Sequence, residues 1–263
     1  MQINAISSRE NAKVKYATKL MNSARFRREE GKFIAEGLRL CYDAVDNGYE
    51  LIEVFYTEAI YEKSSDMMNK IIENSSAAYI VNNDILKKIS DTVNPQGVVA
   101  ICKMPDFKNR EIGSGFYIGL ENTANPSNLG AIARSAEAFG VSGIIMSSSS
   151  CDPFSPKSLR AGMGALLRLP IILCDDFYEV IKELQQKGKT IYSAVVNPQA
   201  EKITNAEKRK DSVLLIGNEA NGLSEEIVSL SDFPITIPMS GRAESLNASV
   251  SAAVLIWEFM KED

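Results

Sequence analysis

The chain has 263 residues, 45% apolar and 24% charged, with a formal net charge of −5, a composition able to bury a core and too apolar for a disordered polymer. At about 150 residues per domain the length fits one large or two small domains, and no apolar run approaches the roughly 20 residues that cross a bilayer. The sequence contains no histidine, which excludes Ser–His–Asp hydrolysis, His-ligated metal centres and a His general base.

The first stretch, MQINAISSRENAKVKY, lacks an apolar core and a cleavage signature and reads as carrying no export signal. Cys41, Cys102, Cys151 and Cys174 lie far apart with no CxxC spacing, so they read as free thiols of a cytoplasmic protein, not a disulfide framework or zinc site. Charge is unevenly spread. Seven Lys and Arg against Glu10 give +6 over the first 28 residues, leaving −11 for the remainder. Their spacing predicts a helix pair, or a helix and turn, with cationic faces. A basic head on an acidic body suits contact with nucleic acid; a solvated helix surface gives the same pattern.

From Lys32 the chain alternates. FIAEG, LIEVFYTE, AAYIV and GVVAICKM read as strands, with helices over 38–47, 65–74 and 83–89 between them. Residues 105–114, a polar stretch with Gly113 and Gly115 close behind it, form the best linker, separating residues 1–104 from 115–263. Beyond it GFYIGL, SGIIMS, PIIL, TIYSAVV, SVLLIG and FPITIP read as strands. Helices are expected over 128–139, 156–164, 176–187 and 224–230, with an amphipathic terminal helix over 245–261. The Ser147–Ser150 tract reads as a loop. This alternation predicts an α/β fold with a mostly parallel sheet in each half.

Three loops follow strand ends, where open α/β sheets place ligands. The first, Glu121–Gly130, is rich in amides and leads into a helix carrying Asn128 and Arg134. An elaborate N-cap explains Asn128 equally well, and a lone helix Arg is commonly a surface charge. The second, Gly217–Leu223, sets Glu219 between two glycines; it matches neither GxGxxG nor a phosphate-binding loop, and a hairpin-like turn is the plain alternative. The third runs from Ile237 to Ser249. Its Met239 and Leu246 could line an apolar pocket and its Ser245 and Asn247 could bond a polar ligand; capping and core packing are the alternatives.

Together these loops resemble the three signature motifs of the SpoU/TrmH-type RNA 2′-O-ribose methyltransferases of the SPOUT superfamily. The matching segments are NPSNLGAIARSAEAFG (Asn125–Gly140), LLIGNEANGLSEEI (Leu214–Ile227) and IPMSGRAESLNASVSAAVLIWE (Ile237–Glu258). DPFSPKSLRAGMGALLRLP resembles the family's intervening segment, and FIAEGLRLCYDAV with SDTVNPQGVVAI resembles the small RNA-binding domain that precedes the catalytic one. The resemblance implies a small N-terminal α/β RNA-binding domain and a C-terminal trefoil-knotted SPOUT α/β domain, an exception to unknotted topology. It also implies a homodimer with the site completed near the interface and S-adenosylmethionine as cofactor; no metal is expected, since methyl transfer from a sulfonium needs no Lewis acid and no ligand cluster is visible in the sequence. Carried over by position, Gly217, Asn218, Ile237, Met239, Leu246 and Val195 would bind the cofactor. Arg134, Asn128, Glu219, Ser245 and Asn247 would form the catalytic set. The chain departs from the pattern at Asn125, where Asp is common, and at Gly162, where Ser is common.

The chemistry implied is in-line attack of a ribose 2′-oxygen on a sulfonium methyl. A guanidinium keeps its proton near neutrality, so a cationic Arg134 that binds phosphate and steadies the developing alkoxide is at least as apt as an Arg base. Ribosomal RNA, the large subunit's above all, is the expected substrate, with the basic head, Lys157 and Arg160 as its track. A transfer-RNA enzyme, a base methyltransferase, an antibiotic-resistance enzyme and a catalytically silent assembly factor on the same fold are the competing readings.

Overall fold

The computed structural model describes residues 4–107 and 111–261. In chain order the first elements are β1 (Asn4–Ile6), α1 (Ala12–Asn22), α2 (Ala24–Glu30), β2 (Lys32–Glu36), α3 (Leu38–Asp46) and β3 (Leu51–Tyr56). Then come α4 (Glu58–Lys63), α5 (Ser65–Glu73), β4 (Ser75–Val81), α6 (Asn83–Lys88) and β5 (Val98–Lys103). Next are β6 (Phe116–Leu120), α7 (Pro126–Ala138), β7 (Gly143–Ser147), α8 (Pro156–Gly162), α9 (Ala165–Arg168), β8 (Ile171–Cys174) and α10 (Phe177–Gln186). The last are β9 (Thr190–Ala194), β10 (Glu201–Lys202), β11 (Ser212–Ile216), α11 (Glu225–Leu230), β12 (Phe233–Thr236) and α12 (Ala248–Met260). Among the described residues no helix is long and apolar enough to cross a membrane.

Two compact units result: Met1–Pro105 with Asp152–Leu167, and Asp106–Cys151 with Arg168–Asp263. This differs from a division into the contiguous stretches 1–104 and 115–263, because residues 152–167 pack with the first unit. Apolar packing and one buried ion pair account for it. Phe154 is fully buried with its ring centroid 4.7 Å from that of Phe33, and the Arg27 guanidinium lies 2.7 Å from the Asp152 carboxylate. Of the linker expected over 105–114, residues 108–110 lie outside the described residues.

The first unit holds a five-stranded sheet in the order β1-β4-β3-β5-β2. Four of its strands run the same way, as a mostly parallel sheet should, and β5 alone is reversed, antiparallel to both β3 and β2. All but the last residue of β5 are buried, and a strand covered on both faces shows no alternation by which its direction could be read. The N-terminal helices are a pair, as their spacing allows. Val14, Ala17 and Leu20 of α1 are fully buried against this sheet's core.

The second unit holds a seven-stranded, wholly parallel sheet in the order β10-β12-β9-β11-β6-β7-β8. Every residue of β6, β7 and β11 is buried, as a sheet flanked by helices on both faces requires. From β6 the chain adds β7 and β8 on one side, then crosses to place β9 beyond β11. The β6/β11 boundary is therefore a topological switch point, the place where such sheets bind ligands.

The terminal helix differs from expectation in two ways. It begins at Ala248, because the Asn247 side chain caps it by accepting the Ser249 backbone N–H at 2.9 Å. Ser245 and Leu246 thus lie outside the helix. Nor is it amphipathic: Ala252, Leu255 and Ile256 are buried, while Val250, Val254 and Trp257 leave its outer side apolar as well.

Candidate functional site

The loops after β6 and β11, neighbours at the switch point, are joined residue by residue. Glu121 accepts the backbone N–H and hydroxyl of Ser224 at 2.8 and 2.7 Å, and Ser224 in turn caps α11. Asn218 donates to the Asn122 carbonyl at 2.7 Å. Glu219 accepts from Ala124 N–H, Asn125 N–H and the Asn128 amide at 3.1, 3.2 and 3.0 Å.

A third loop joins through Asn247, whose amide donates to Asn128 Oδ1 at 3.2 Å. The direction of this chain is fixed by chemistry. An ionised carboxylate only accepts, so Asn128 must turn its NH₂ to Glu219 and its oxygen to Asn247. Asn247 then spends its own oxygen on Ser249. Burial raises the proton affinity of Glu219, but the bonds from Asn128, Ala124 and Asn125 outweigh it and hold the carboxyl below the ordinary glutamate value. A depressed pKa makes this link contribute fully above the ordinary glutamate pKa and fade as pH falls through the lowered one. All three of these bonds come from the loop after β6 and the start of α7, so the Glu219 carboxylate ties the two neighbouring loops together.

The Gly217–Leu223 loop is both a tight turn and a wall. Asn218 and Gly222 exchange backbone hydrogen bonds at 3.0 and 2.9 Å, so the hairpin-like alternative describes its shape. A Cβ on Gly217 would lie 2.0 Å from the Gly222 carbonyl carbon; only glycine admits that closure.

Beside this turn opens a cavity of about 440 Å³, lined from the ends of β9, β11 and β12 and the start of α12. Gly217, Asn218, Ile237, Met239, Leu246 and Val195 all line it, as do Glu219 and Ser245. The volume is that of a small-molecule site. Asn128 and Asn247 reach it through Glu219. Arg134 does not line the cavity: it is exposed on α7. It forms no hydrogen bond or ion pair among the described residues, so one copy of the chain does not join it to the cluster. Sequence reasoning missed Val196, Ser251 and Leu255 in the lining, and Glu121 and Asn122 as ties between loops. A carboxylate at the end of a fully apolar strand was the available signal for Glu121. Among the described residues no group of three or more His, Cys, Asp or Glu side chains is placed to hold a metal ion.

A doubly wound sheet with three tied loops at its switch point defines a ligand-binding α/β enzyme unit, and comparison with known proteins places it. Residues 115–257 match the model of the SpoU rRNA Methylase family, and residues 11–100 match that of the MRM3-like substrate binding domain. The chain belongs to the SpoU rRNA methylase family. Among its relatives is the 23S rRNA (guanosine(2553)-2′-O)-methyltransferase RlmP of Bacillus subtilis, 26% identical over 96% of this chain and 97% of that one. Among solved structures, an AdoMet-bound rRNA methyltransferase from Sinorhizobium meliloti superposes with a TM-score of 0.87 at 29% identity, covering 98% of both chains. The SpoU methyltransferase AviRb from Streptomyces viridochromogenes, in complex with AdoMet, gives 0.84 at 26% identity over 95% of this chain and 97% of that one.

Proposed function

We propose that this protein transfers a methyl group from S-adenosylmethionine to a ribose 2′-oxygen of ribosomal RNA, that of the large subunit. The observation that carries the reading is the meeting of three strand-end loops around one cavity on a member of the SpoU family. The cavity suits the donor: Ile237, Met239 and Leu246 offer apolar walls for a purine, and strand-end backbone with Asn218 and Ser245 offers polar partners. When bound, S-adenosylmethionine supplies the electrophilic sulfonium methyl. The chain's own task is to hold a ribose in line with it, and positioning alone can remove about 7–11 kcal/mol of such a barrier. Glu219, Asn128 and Asn247 hold the loops in register, while Arg134 supplies the unpaired cation for phosphate and developing alkoxide. Threading of the last segment as a trefoil knot belongs to the same reading.

The test is methyl transfer to ribosomal RNA mapped to a single nucleotide, repeated with a 2′-deoxy target. Transfer abolished by the deoxy substitution supports the reading. Transfer to a base, or to transfer RNA alone, overturns it, as does an intact protein that binds RNA and transfers nothing.

The RNA track follows the cations that the fold leaves free. Lys13 pairs with Glu53, Lys15 with Glu10, Arg25 with Glu29 and Arg27 with Asp152, so part of the basic head's charge is neutralised at home. Arg27 also donates to the Leu20 and Met21 carbonyls at 2.6 and 3.0 Å and is structural. Arg9, Lys19, Arg28 and Lys157 are exposed and have no carboxylate partner among the described residues, and Arg160 pairs with Asp91 at 2.7 Å. Deleting residues 1–28 would strip β1 and α1 from the sheet and core, so charge reversal is the cleaner probe. Replacing Arg9, Lys19 and Lys157 by Glu should weaken RNA binding and lower its salt slope by roughly 0.7–0.9 for each phosphate no longer neutralised. An unchanged slope would remove these residues from the track.

A homodimer completes the reading, with action on ribosomes in the cytoplasm. Val250, Val254 and Trp257 are 49, 37 and 51% exposed and share one side of α12 by their spacing. Phe139, the C-cap of α7, the helix that carries Arg134, lies against Trp257 with ring centroids 5.4 Å apart. A second copy seated on this face would cover the stripe and bring Arg134 to the seam. Sedimentation equilibrium at micromolar concentration should return a dimer, and a monomer there would overturn this part.

A further inference from the structure

The serine tract after β7 has no assigned part in the reaction, and its bonds give it one. Ser147 is 6% exposed at the last position of β7. Its hydroxyl accepts the Asn122 backbone N–H at 2.9 Å, faces the Asn122 side-chain oxygen at 3.4 Å and lies 3.0 Å from the Ser150 hydroxyl. Ser149 donates to the same Asn122 oxygen, and Ser150 accepts the Thr123 backbone N–H at 3.2 Å. Cys151 N–H closes the loop on the Thr123 carbonyl at 2.8 Å. All these bonds converge on Asn122 and its neighbour Thr123, and Asn122 sits at φ 54°, a left-handed conformation that costs most residues about 1–2 kcal/mol and Asn less. The consequence lies one residue across: the Asn122 carbonyl accepts from Asn218 at 2.7 Å, and Asn218 orders the cavity-lining turn by accepting from Ala220 and Asn221 N–H at 2.9 and 3.3 Å.

We propose that Ser147, with Ser149 and Ser150 in support, is a positioning residue for methyl transfer: it fixes Asn122 so that the loop after β6 holds the cofactor-side turn after β11 in its binding shape. The inference rests on the cofactor assignment above, and the serines do not themselves line the cavity. It separates the four serines. Ser147 and Ser150 hold backbone, Ser149 supports a side chain, and the exposed Ser148 hydroxyl has no partner among the described residues.

Calorimetric titration of the full chain with S-adenosylmethionine tests it, beside filter binding of RNA. Ser147→Ala should weaken cofactor affinity about tenfold, the order expected when a buried acceptor is removed, with stoichiometry and RNA affinity unchanged. Ser150→Ala should show a smaller effect of the same kind, and Ser148→Ala none. Glycine needs no support at φ 54°, so Asn122→Gly placed on Ser147→Ala should recover most of the affinity, a non-additivity of at least about threefold. Unchanged affinity in both Ser147→Ala and Ser150→Ala would overturn the proposal. A fall in stoichiometry and thermal stability at unchanged Kd, with no recovery by Asn122→Gly, would also overturn it by showing a merely structural role. A wild-type chain that binds no S-adenosylmethionine would instead strike the cofactor assignment itself, and this inference with it.

Discussion

Replacing Arg134 by Ala should lower kcat for RNA methylation by about 10²–10³-fold, the effect typical of removing one preorganised donor from a developing oxyanion, while leaving cofactor affinity intact. The second half follows from placement, since Arg134 does not line the cavity. The first follows from the role proposed for Arg134, which is exposed on α7 and forms no hydrogen bond or ion pair among the described residues. Arg134→Lys separates charge from shape. A lysine keeps the cation but gives up the two-pronged donor, so RNA affinity should be partly retained while turnover stays low. Turnover equal to wild type in the Lys variant would sink bidentate positioning. Equal turnover in the Ala variant would remove Arg134 from the reaction.

Gly217→Ala should abolish measurable cofactor binding or weaken it by at least about 10²-fold, because misplacing a site by an ångström has that order of effect. The added methyl would meet backbone on three sides, at 2.0 Å from Gly222 C, 2.1 Å from Leu223 N and 2.3 Å from Gly222 O. No side-chain rotation can relieve a clash with main chain, so the turn must move. Gly222→Ala is the informative contrast. Its Cβ would enter open space, but its φ of 70° disfavours any other residue by about 1–2 kcal/mol, so binding should suffer less. Equilibrium titration of both variants decides it: a Gly217→Ala protein that binds like wild type would show that the turn is not held by backbone closure.

The second unit was far more legible in the sequence than the connections within and between its loops. Strands such as SVLLIG and SGIIMS announce themselves by apolar runs ending in glycine or serine, and β11 and β7 fall on them. β1 and β10 did not, at three and two residues long; edge pairs that short carry no periodicity. The direction of β5 was equally invisible, since burial on both faces erases the pattern that would fix it. At the site, the motifs named the residues but not who holds whom. Glu219 looks like a candidate acid or base in sequence, and only its three donors, one from a residue 91 positions away, show it to be a tie. Lysines and arginines misled in the other direction. The excess charge of the first 28 residues is real, but Glu53 and Asp152, far along the chain, absorb part of it.

Residues 152–167 carry a consequence for how the molecule can be taken apart. The chain passes from one unit to the other three times, near residues 105, 151 and 167, so no single cut releases either unit whole. A fragment beginning at residue 106 would keep Phe154 and Leu159, both essentially buried, yet leave behind Phe33 and the sheet they pack upon. A fragment ending at residue 105 would leave Arg27 buried opposite a missing carboxylate, an omission that commonly costs about 3–5 kcal/mol. Substrate recognition and methyl transfer are therefore inherited together, as one inseparable piece of chain.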